Sequence, residues 1–364
     1  MKSVYNTLPK LLPHIQKEIY NVDLNLPAKE RWNEVLDQSG DKIHSMFSDI
    51  EDLIAERTAE LPPKLPPLAK GVIGPIGHLL SAIVKAYGQD YVYEIQGIAA
   101  RAGINYPRLL LANLMYDITQ AFTPASPAAC TSYSVNLPGG KPCLARNMDW
   151  DMPDTMGTNT VLVRFHKGNR YYLSVGVVGM VGVLSAMRPG HWAVTLNQAP
   201  RTHGCMNYFG GMPALQQVRS ACDQFGSFNS LISHLQDYQS LSPFFIHVVG
   251  VKPTDHAVLT SFGSTFSIRQ TDVLPLVQTN HFVEPKFTDL NPPVETEDEN
   301  GQVWVCNSEP RYKAIERRFQ KNRPRSVSNA LDLLKREPVT NSTTMQSMAF
   351  CPARDEYQVR VQLR

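Results

Sequence analysis

Cys130 opens an alternating run, CTSYSVNL, that turns at Gly139-Gly140 and returns as PCLARNMDW, carrying Arg146 and Asp149. A cysteine attacks a carbonyl as its thiolate, so some group must take the thiol proton. No histidine stands near Cys130 in sequence. The base is then either a distant histidine folded against it or the cysteine's own α-amine, freed by cutting the chain directly before it. An α-amine, with an unperturbed pKa near ~8, can act as that base, as it does for N-terminal threonine nucleophiles. The small residues Ala128 and Ala129 suit cleavage at Ala129–Cys130. On a paired return strand, Asp149 can accept a hydrogen bond from the new ammonium. Arg146 can favour the thiolate and hold the aspartate. The same residues also fit a plainer arrangement, a buried thiol on a strand beside an exposed ion pair.

The elements that must position these groups divide the chain near residues 125–130. Residues 1–125 read mainly as helix. AKERWNEVLDQSG puts Trp32, Val35 and Leu36 on one helical face, and the next segment repeats apolar residues at Met46, Phe47, Ile50, Leu53 and Ile54. LPPKLPPLAKG is a proline-rich break. GVIGPIGHLLSAIVKAYG is apolar and helical from Ile76, and DYVYEIQGIAARAGI and YPRLLLANLMYDITQAF complete a helical layer. After Cys130 period-two, β-branched runs dominate: CTSYSVNL, PCLARNMDW, NTVLVRFHKG, RYYLSVGVVG, HWAVTLNQ, FFIHVVGV and HAVLTSF. Helices interrupt at MPALQQVRSACDQFG, FNSLISHLQDY and RYKAIERRFQ, and a hairpin closes the chain. This order predicts an α+β fold, antiparallel sheets covered by helices. The division gives a helical segment, 1–129, and a strand-rich segment, 130–364.

Composition excludes several classes. The 364 residues are 43% hydrophobic with a formal net charge of +2, enough for a sizeable core and unlike a dedicated nucleic-acid binder. The six cysteines, at 130, 143, 205, 222, 306 and 351, form no CxxC pair, and the ten histidines show no zinc-ligand spacing. No apolar run is long enough for a transmembrane helix. The N-terminus lacks the apolar core of a signal peptide, and one N-x-S/T sequon is present, at Asn341-Ser342-Thr343. These features lead to the expectation of a cytoplasmic chain, with a lysosomal or secreted one as the alternative if a signal has been removed.

CTS followed by RNMDW resembles the signature of cysteine N-terminal-nucleophile (Ntn) hydrolases. More narrowly, the chain resembles N-acylethanolamine-hydrolysing acid amidase and acid ceramidase, within the choloylglycine hydrolase superfamily. VDLNLPAKERWNEVL, YEIQGIAARAGI, LLLANLMYD, VTLNQ, QTNHF, SEPRYKAIERR and TTMQSMAFCP carry the likeness in order along the chain. The resemblance implies a four-layer αββα sandwich and self-cleavage between Ala129 and Cys130 into associated α (1–129) and β (130–364) fragments. It places the nucleophile on Cys130, the amine-orienting pair on Arg146 and Asp149, an oxyanion donor on Asn280, an ordering asparagine on Asn197 and a second active-site arginine on Arg311. It implies a fatty-acyl amide substrate, no metal or organic cofactor and no nucleic-acid partner. Acyl transfer, a bile acid or penicillin V type of amide, and an inactive lipid-binding homologue are the alternatives. Two departures stand out. Gln198 replaces the glutamate that follows asparagine in ceramidase-like relatives, and the approach AFTPASPAAC is longer than theirs. GVIGPIGHLLSAIVKAYG and GVVGMVGVLSAM could line an acyl channel, touch a membrane surface, or serve as ordinary core.

Overall fold

The computed structural model describes residues 10–11, 19–59, 88–122, 128–200, 207, 211–262, 265–291, 295–297, 303–305 and 307–363. The segment GVIGPIGHLLSAIVKAYG, apart from Gly88, lies outside the described residues, as do Cys205, Cys306 and most of the loop before Ala128.

Among the described residues two large sheets face each other. The first orders its strands β1 (Lys10–Leu11), β16 (Glu356–Leu363), β15 (Thr344–Cys351), β4 (Lys141–Trp150), β3 (Ala128–Leu137) and β12 (Leu276–Gln278). The second runs β11 (Thr265–Gln270), β10 (His256–Phe262), β9 (Phe244–Val249), β8 (Trp192–Gln198), β7 (Ser185–Arg188), β6 (Arg170–Val177), β5 (Thr160–Lys167) and β2 (Ile19–Asp23). A short hairpin, β13 (Glu295–Glu297) with β14 (Val303–Val305), stands apart. The seven strands read from sequence are present. β3 and β4 pair without a break in register, from Ala128↔Trp150 to Leu137↔Lys141. Gly139 and Gly140 close that hairpin at φ of 82° and 66°, a left-handed conformation that glycine adopts without a Cβ clash.

Strand alternation sorts each sheet's side chains onto two faces. Tyr133, Val135, Leu137 and Cys143 of the first sheet pack outward against α8 (Ser308–Lys321) and α9 (Val327–Leu334). Leu144, Met348 and Phe350 pack inward on Leu162, Val175, Met187 and Ala193 of the second sheet. The second sheet's outer face, with Val161, Phe165, Val194 and Ile246, packs on α1 (Asn33–Ala59), α2 (Gln89–Ala102), α3 (Tyr106–Asn113), α6 (Ala214–Asp223) and α7 (Phe228–Leu235). Two shorter helices complete the set, α4 (Met115–Phe122), which leads toward Cys130, and α5 (Asp154–Thr158). The layers therefore run helix, sheet, sheet, helix, a mixed α+β fold.

The helical reading of the N-terminal region needs correction at two strands, the two-residue β1, which pairs with β16, and β2. Ile19–Asp23 is a strand, and it extends the second sheet by parallel pairing with β5, from Ile19↔Leu162 to Asp23↔His166. Its alternation is too short to stand out in sequence. Its partner lies in the other half of the chain, so the pairing is visible only in the fold. The stretch Gly176–Met187 forms the end of β6, a turn and β7. Val177, Val178, Val181, Val183 and Leu184 are buried, which makes it core. Among the described residues no helix is long and apolar enough to cross a membrane.

Candidate active site

The inter-sheet layer is apolar at one end and polar at the other. At the polar end the alternation of β3 turns Cys130, Ser132 and Ser134 inward, while β4 turns Arg146 the same way. Cys130 and Arg146 are both almost wholly buried. Arg146 Nη2 donates to Cys130 Sγ at 3.2 Å and to the Leu196 carbonyl at 2.5 Å, and Nη1 donates to Ser185 Oγ at 2.9 Å. A guanidinium fixed by two other acceptors thus faces the sulfur. The other described thiols stand differently: burial pushes Cys143 and Cys222 well above the ordinary thiol range and raises Cys351.

The backbone at Cys130 is held from the opposite direction. Its N–H donates to Asn280 Oδ1 at 2.7 Å, and its carbonyl accepts from Arg311 Nη1 at 2.5 Å. Arg311 Nη2 also donates to Asn280 Oδ1 at 2.8 Å, and Asn280 Nδ2 donates to the Gln198 carbonyl at 2.8 Å. Arg311 projects from the first turn of α8, with Nε on Asn307 Oδ1 at 3.0 Å. Asn280 is fixed in turn by its backbone N–H on Ser308 Oγ at 2.8 Å. The Asn280 side chain therefore presents its oxygen to the Cys130 nitrogen, a contact that its oxyanion assignment did not include. One of its two amide protons goes to Gln198.

Asp149 lies on the outward face of β4, opposite to Arg146, because three residues along a strand reverse the side-chain direction. It pairs with Ala129 across the hairpin, beside the Ala129–Cys130 peptide. The salt bridge expected from Arg146 comes instead from Arg311, whose Nη1 lies 4.0 Å from Asp149 Oδ2. Burial pushes the carboxyl up to about 6, against the opposing pull of Arg311, Thr344, Asn341 and Arg146.

Asn197 joins this group through Ser132. Its Nδ2 donates to Ser132 Oγ at 3.0 Å and to the Gln278 carbonyl at 2.9 Å. From Ser132 a buried chain continues through His247, Ser134, His256 and Asn136 with contacts of 3.1, 2.9, 2.8 and 3.1 Å. Its direction follows from its far end. Asn136 Nδ2 donates to the Pro253 carbonyl, so Asn136 Oδ1 accepts from His256 Nε2–H. Neutral His256 then accepts from Ser134 at Nδ1, and His247 likewise donates from Nε2 and accepts from Ser132 at Nδ1. Burial holds both rings neutral, lowering His256 to about 4 and His247 well below the ordinary histidine range.

The structure thus gathers Cys130, Arg146, Asn280 and Arg311 by direct contact, Asp149 through Arg311, and Asn197 through Ser132. Sequence reading did not find Ser132, His247, Thr344 or Asn341. Only the last carried a signal, as the sequon. Among the described residues no cluster of histidine, cysteine and carboxylate side chains could hold a metal ion.

Comparison with known proteins follows this geometry. Residues 17–74 match the family described as the beta subunit of N-acylethanolamine-hydrolyzing acid amidase. That match lies within the segment labelled α from sequence. N-acylethanolamine-hydrolyzing acid amidase of Caenorhabditis elegans is 24% identical over 252 residues, which is 66% of this chain and 66% of that relative. Acid ceramidase of Balaenoptera acutorostrata scammoni is 22% identical over 368 residues, covering 93% of this chain and 84% of that relative. The solved structure of the Caenorhabditis elegans acid amidase ortholog superposes with a TM-score of 0.51 at 20% identity, over 62% of this chain and 93% of that one.

Proposed function

We propose that this chain, which belongs to the family of N-acylethanolamine-hydrolysing acid amidase and acid ceramidase, is a self-cleaving cysteine amidase of the Ntn type that hydrolyses fatty-acyl amides. The observation that carries this reading is the joint engagement of Cys130, with its sulfur on Arg146 and its backbone nitrogen on Asn280. The sulfur and nitrogen that would serve as nucleophile and base are held from two sides.

In maturation the Cys130 sulfur adds to the Ala129 carbonyl and the Ala129–Cys130 C–N bond breaks. This leaves a thioester on sulfur and a free α-amine on Cys130. Water then hydrolyses the thioester, giving a carboxylate on Ala129 and restoring the thiol. In turnover the α-amine takes the thiol proton as sulfur attacks the amide carbonyl, and passes it to the leaving amine. Water enters against the same base, releasing the fatty acid and the thiol. Asn280 Oδ1 receives the amine, and Arg311 fixes both Asn280 and the Cys130 carbonyl. Neutral amide donors, Asn280 Nδ2 and backbone N–H groups, suit the oxyanion because they bind charge without changing protonation state. Gln198 leaves this site one carboxylate poorer than a glutamate would.

Intact mass, N-terminal sequencing and fatty-acid release from an N-acylethanolamine test this reading together. Wild type should resolve into two chains with the new N-terminus at Cys130, and Cys130→Ala should stay whole and inactive. A fully active, uncut 364-residue chain would sink it.

A further inference from the structure

The sequon Asn341-Ser342-Thr343 ends against the candidate site. We infer that Asn341 and Thr344 form a carboxylate clamp, positioning residues that fix the orientation of Asp149 and favour its ionised form. The inference rests on the reading that Asp149 serves the amine of the Cys130 nucleophile.

Thr344 is the cross-strand partner of Asp149, and its Oγ1 donates to Asp149 Oδ1 at 2.6 Å. Asn341 Nδ2 donates to the other oxygen, Oδ2, at 3.3 Å. Neither donor is free to turn. The Asn341 backbone N–H donates to Thr344 Oγ1 at 3.0 Å, so the hydroxyl proton is left for the carboxylate. Asn341 Oδ1 accepts from the Thr343 N–H at 2.9 Å and from Thr343 Oγ1 at 2.6 Å, which fixes the amide plane with Nδ2 toward Asp149. β15 breaks register directly after Thr344: Thr344 opposes Asp149 and Gln346 opposes Met148. Such a bulge re-aims a side chain at a site.

The charged groups around Asp149 are few. α8 brings Arg311 to 4.0 Å, and Arg146 acts from the same strand at longer range. β3 opposes Asp149 with Ala129, and β15 with Thr344. A wholly buried carboxyl with one cation at that distance needs hydrogen-bond donors to stay ionised. Thr344 and Asn341 supply one to each oxygen. The nitrogen that a sugar would occupy in the sequon is the one given to Asp149, which makes the sequon part of the site.

The test is a titration of the Asp149 carboxyl by 13C resonance in Cys130→Ala protein, assigned by its loss in Asp149→Asn. Thr344→Val should raise the midpoint by about one pH unit, the scale of a hydrogen bond to a charged group. Asn341→Asp should raise it too, by setting carboxylate against carboxylate, and Thr344→Ser should keep the parent value. In protein with Cys130 intact, the acid limb of the pH–kcat profile and of self-cleavage should move upward in step. Should Thr344→Val fail to fold, Asn341→Asp carries the test alone. Unmoved midpoints in folded Thr344→Val and Asn341→Asp, or an even loss of rate with an unshifted acid limb, would overturn the clamp. If the midpoints move while wild type hydrolyses no N-acyl amide, the clamp stands and the amidase reading falls.

Discussion

Cys130 is set apart from the other described thiols by what faces it. Cys143, Cys222 and Cys351 are held as thiols by burial, whereas Cys130 has a guanidinium at 3.2 Å. Its partner Asn280 makes two contacts with one side chain, with Oδ1 on the Cys130 nitrogen and Nδ2 on the Gln198 carbonyl. Asn280→Ala should lower kcat by about 10²–10³, the usual loss for one oxyanion donor. Asn280→Asp should be worse, because it sets an oxygen against the Gln198 carbonyl and a negative charge against the developing oxyanion. The measurement is kcat on variants matched in thermal stability. If both keep near wild-type kcat, Asn280 is a structural cap, and Asn197 becomes the first residue to test as donor.

At the scale of elements, the N-terminal segment is built into the second sheet and its helical cover. β2 supplies an edge strand to β5. Above it, α2 and α6 meet at a buried ion cluster: Glu94 accepts from Arg31, from Trp32 Nε1 and from two nitrogens of Arg219, at 2.7 to 3.2 Å. Arg219 also binds Asp223 at 2.8 Å and stacks 4.1 Å from the Phe165 ring. Removing one partner of a buried pair leaves the other charge uncompensated, at a cost of roughly 3–5 kcal/mol. Glu94→Gln should therefore destabilise uncut Cys130→Ala protein by about 3 kcal/mol in urea unfolding. The same change should lower the urea concentration at which the cut fragments separate, because Glu94 and Arg219 lie on opposite sides of residue 130. A change below about 1 kcal/mol, typical of an exposed pair, would show that the cluster does not join the two segments.

Across the whole molecule, buried titratable groups push stability in opposite directions as pH falls. Asp117 on α4 is fully buried against Ser242 and the Ala214 N–H, and burial pushes it up to about 7 from 3.8. The folded state therefore binds its proton more tightly than the unfolded chain does. The resulting stability is complete below pH 3.8 and is lost as pH rises through about 7. Its full span is on the order of 4 kcal/mol. His256 has the opposite sign: its stability is present above pH 6.5 and is lost as pH falls through about 4, and His247 adds in the same direction. Wild type should therefore gain melting temperature relative to Asp117→Asn between pH 8 and pH 6, the histidine contribution being common to both proteins. Parallel melting curves for the two proteins would refute an ionisable, strained Asp117.

Much of the strand order was legible because each run from CTSYSVNL to HAVLTSF alternates within itself, and the Gly139-Gly140 turn fixes the β3–β4 register locally. Cys130, Arg146 and Asp149 could be named from that hairpin alone. The same alternation, followed strictly, puts Arg146 and Asp149 on opposite faces, so the cation for Asp149 had to come from another element. That element is α8, whose Arg311 arrives from far along the chain. β2 was hidden for a related reason: five residues with a distant parallel partner carry too little local pattern to outweigh their helical surroundings. The histidine chain and the clamp on Asp149 depend on sheet-to-sheet packing and on a register break in β15. Sequence determined which strands alternate and which residue types lie on the central hairpin. Tertiary structure decided which groups meet across the layers, because hydrogen bonds between sheets depend on where separate elements come to rest and not on their spacing along the chain.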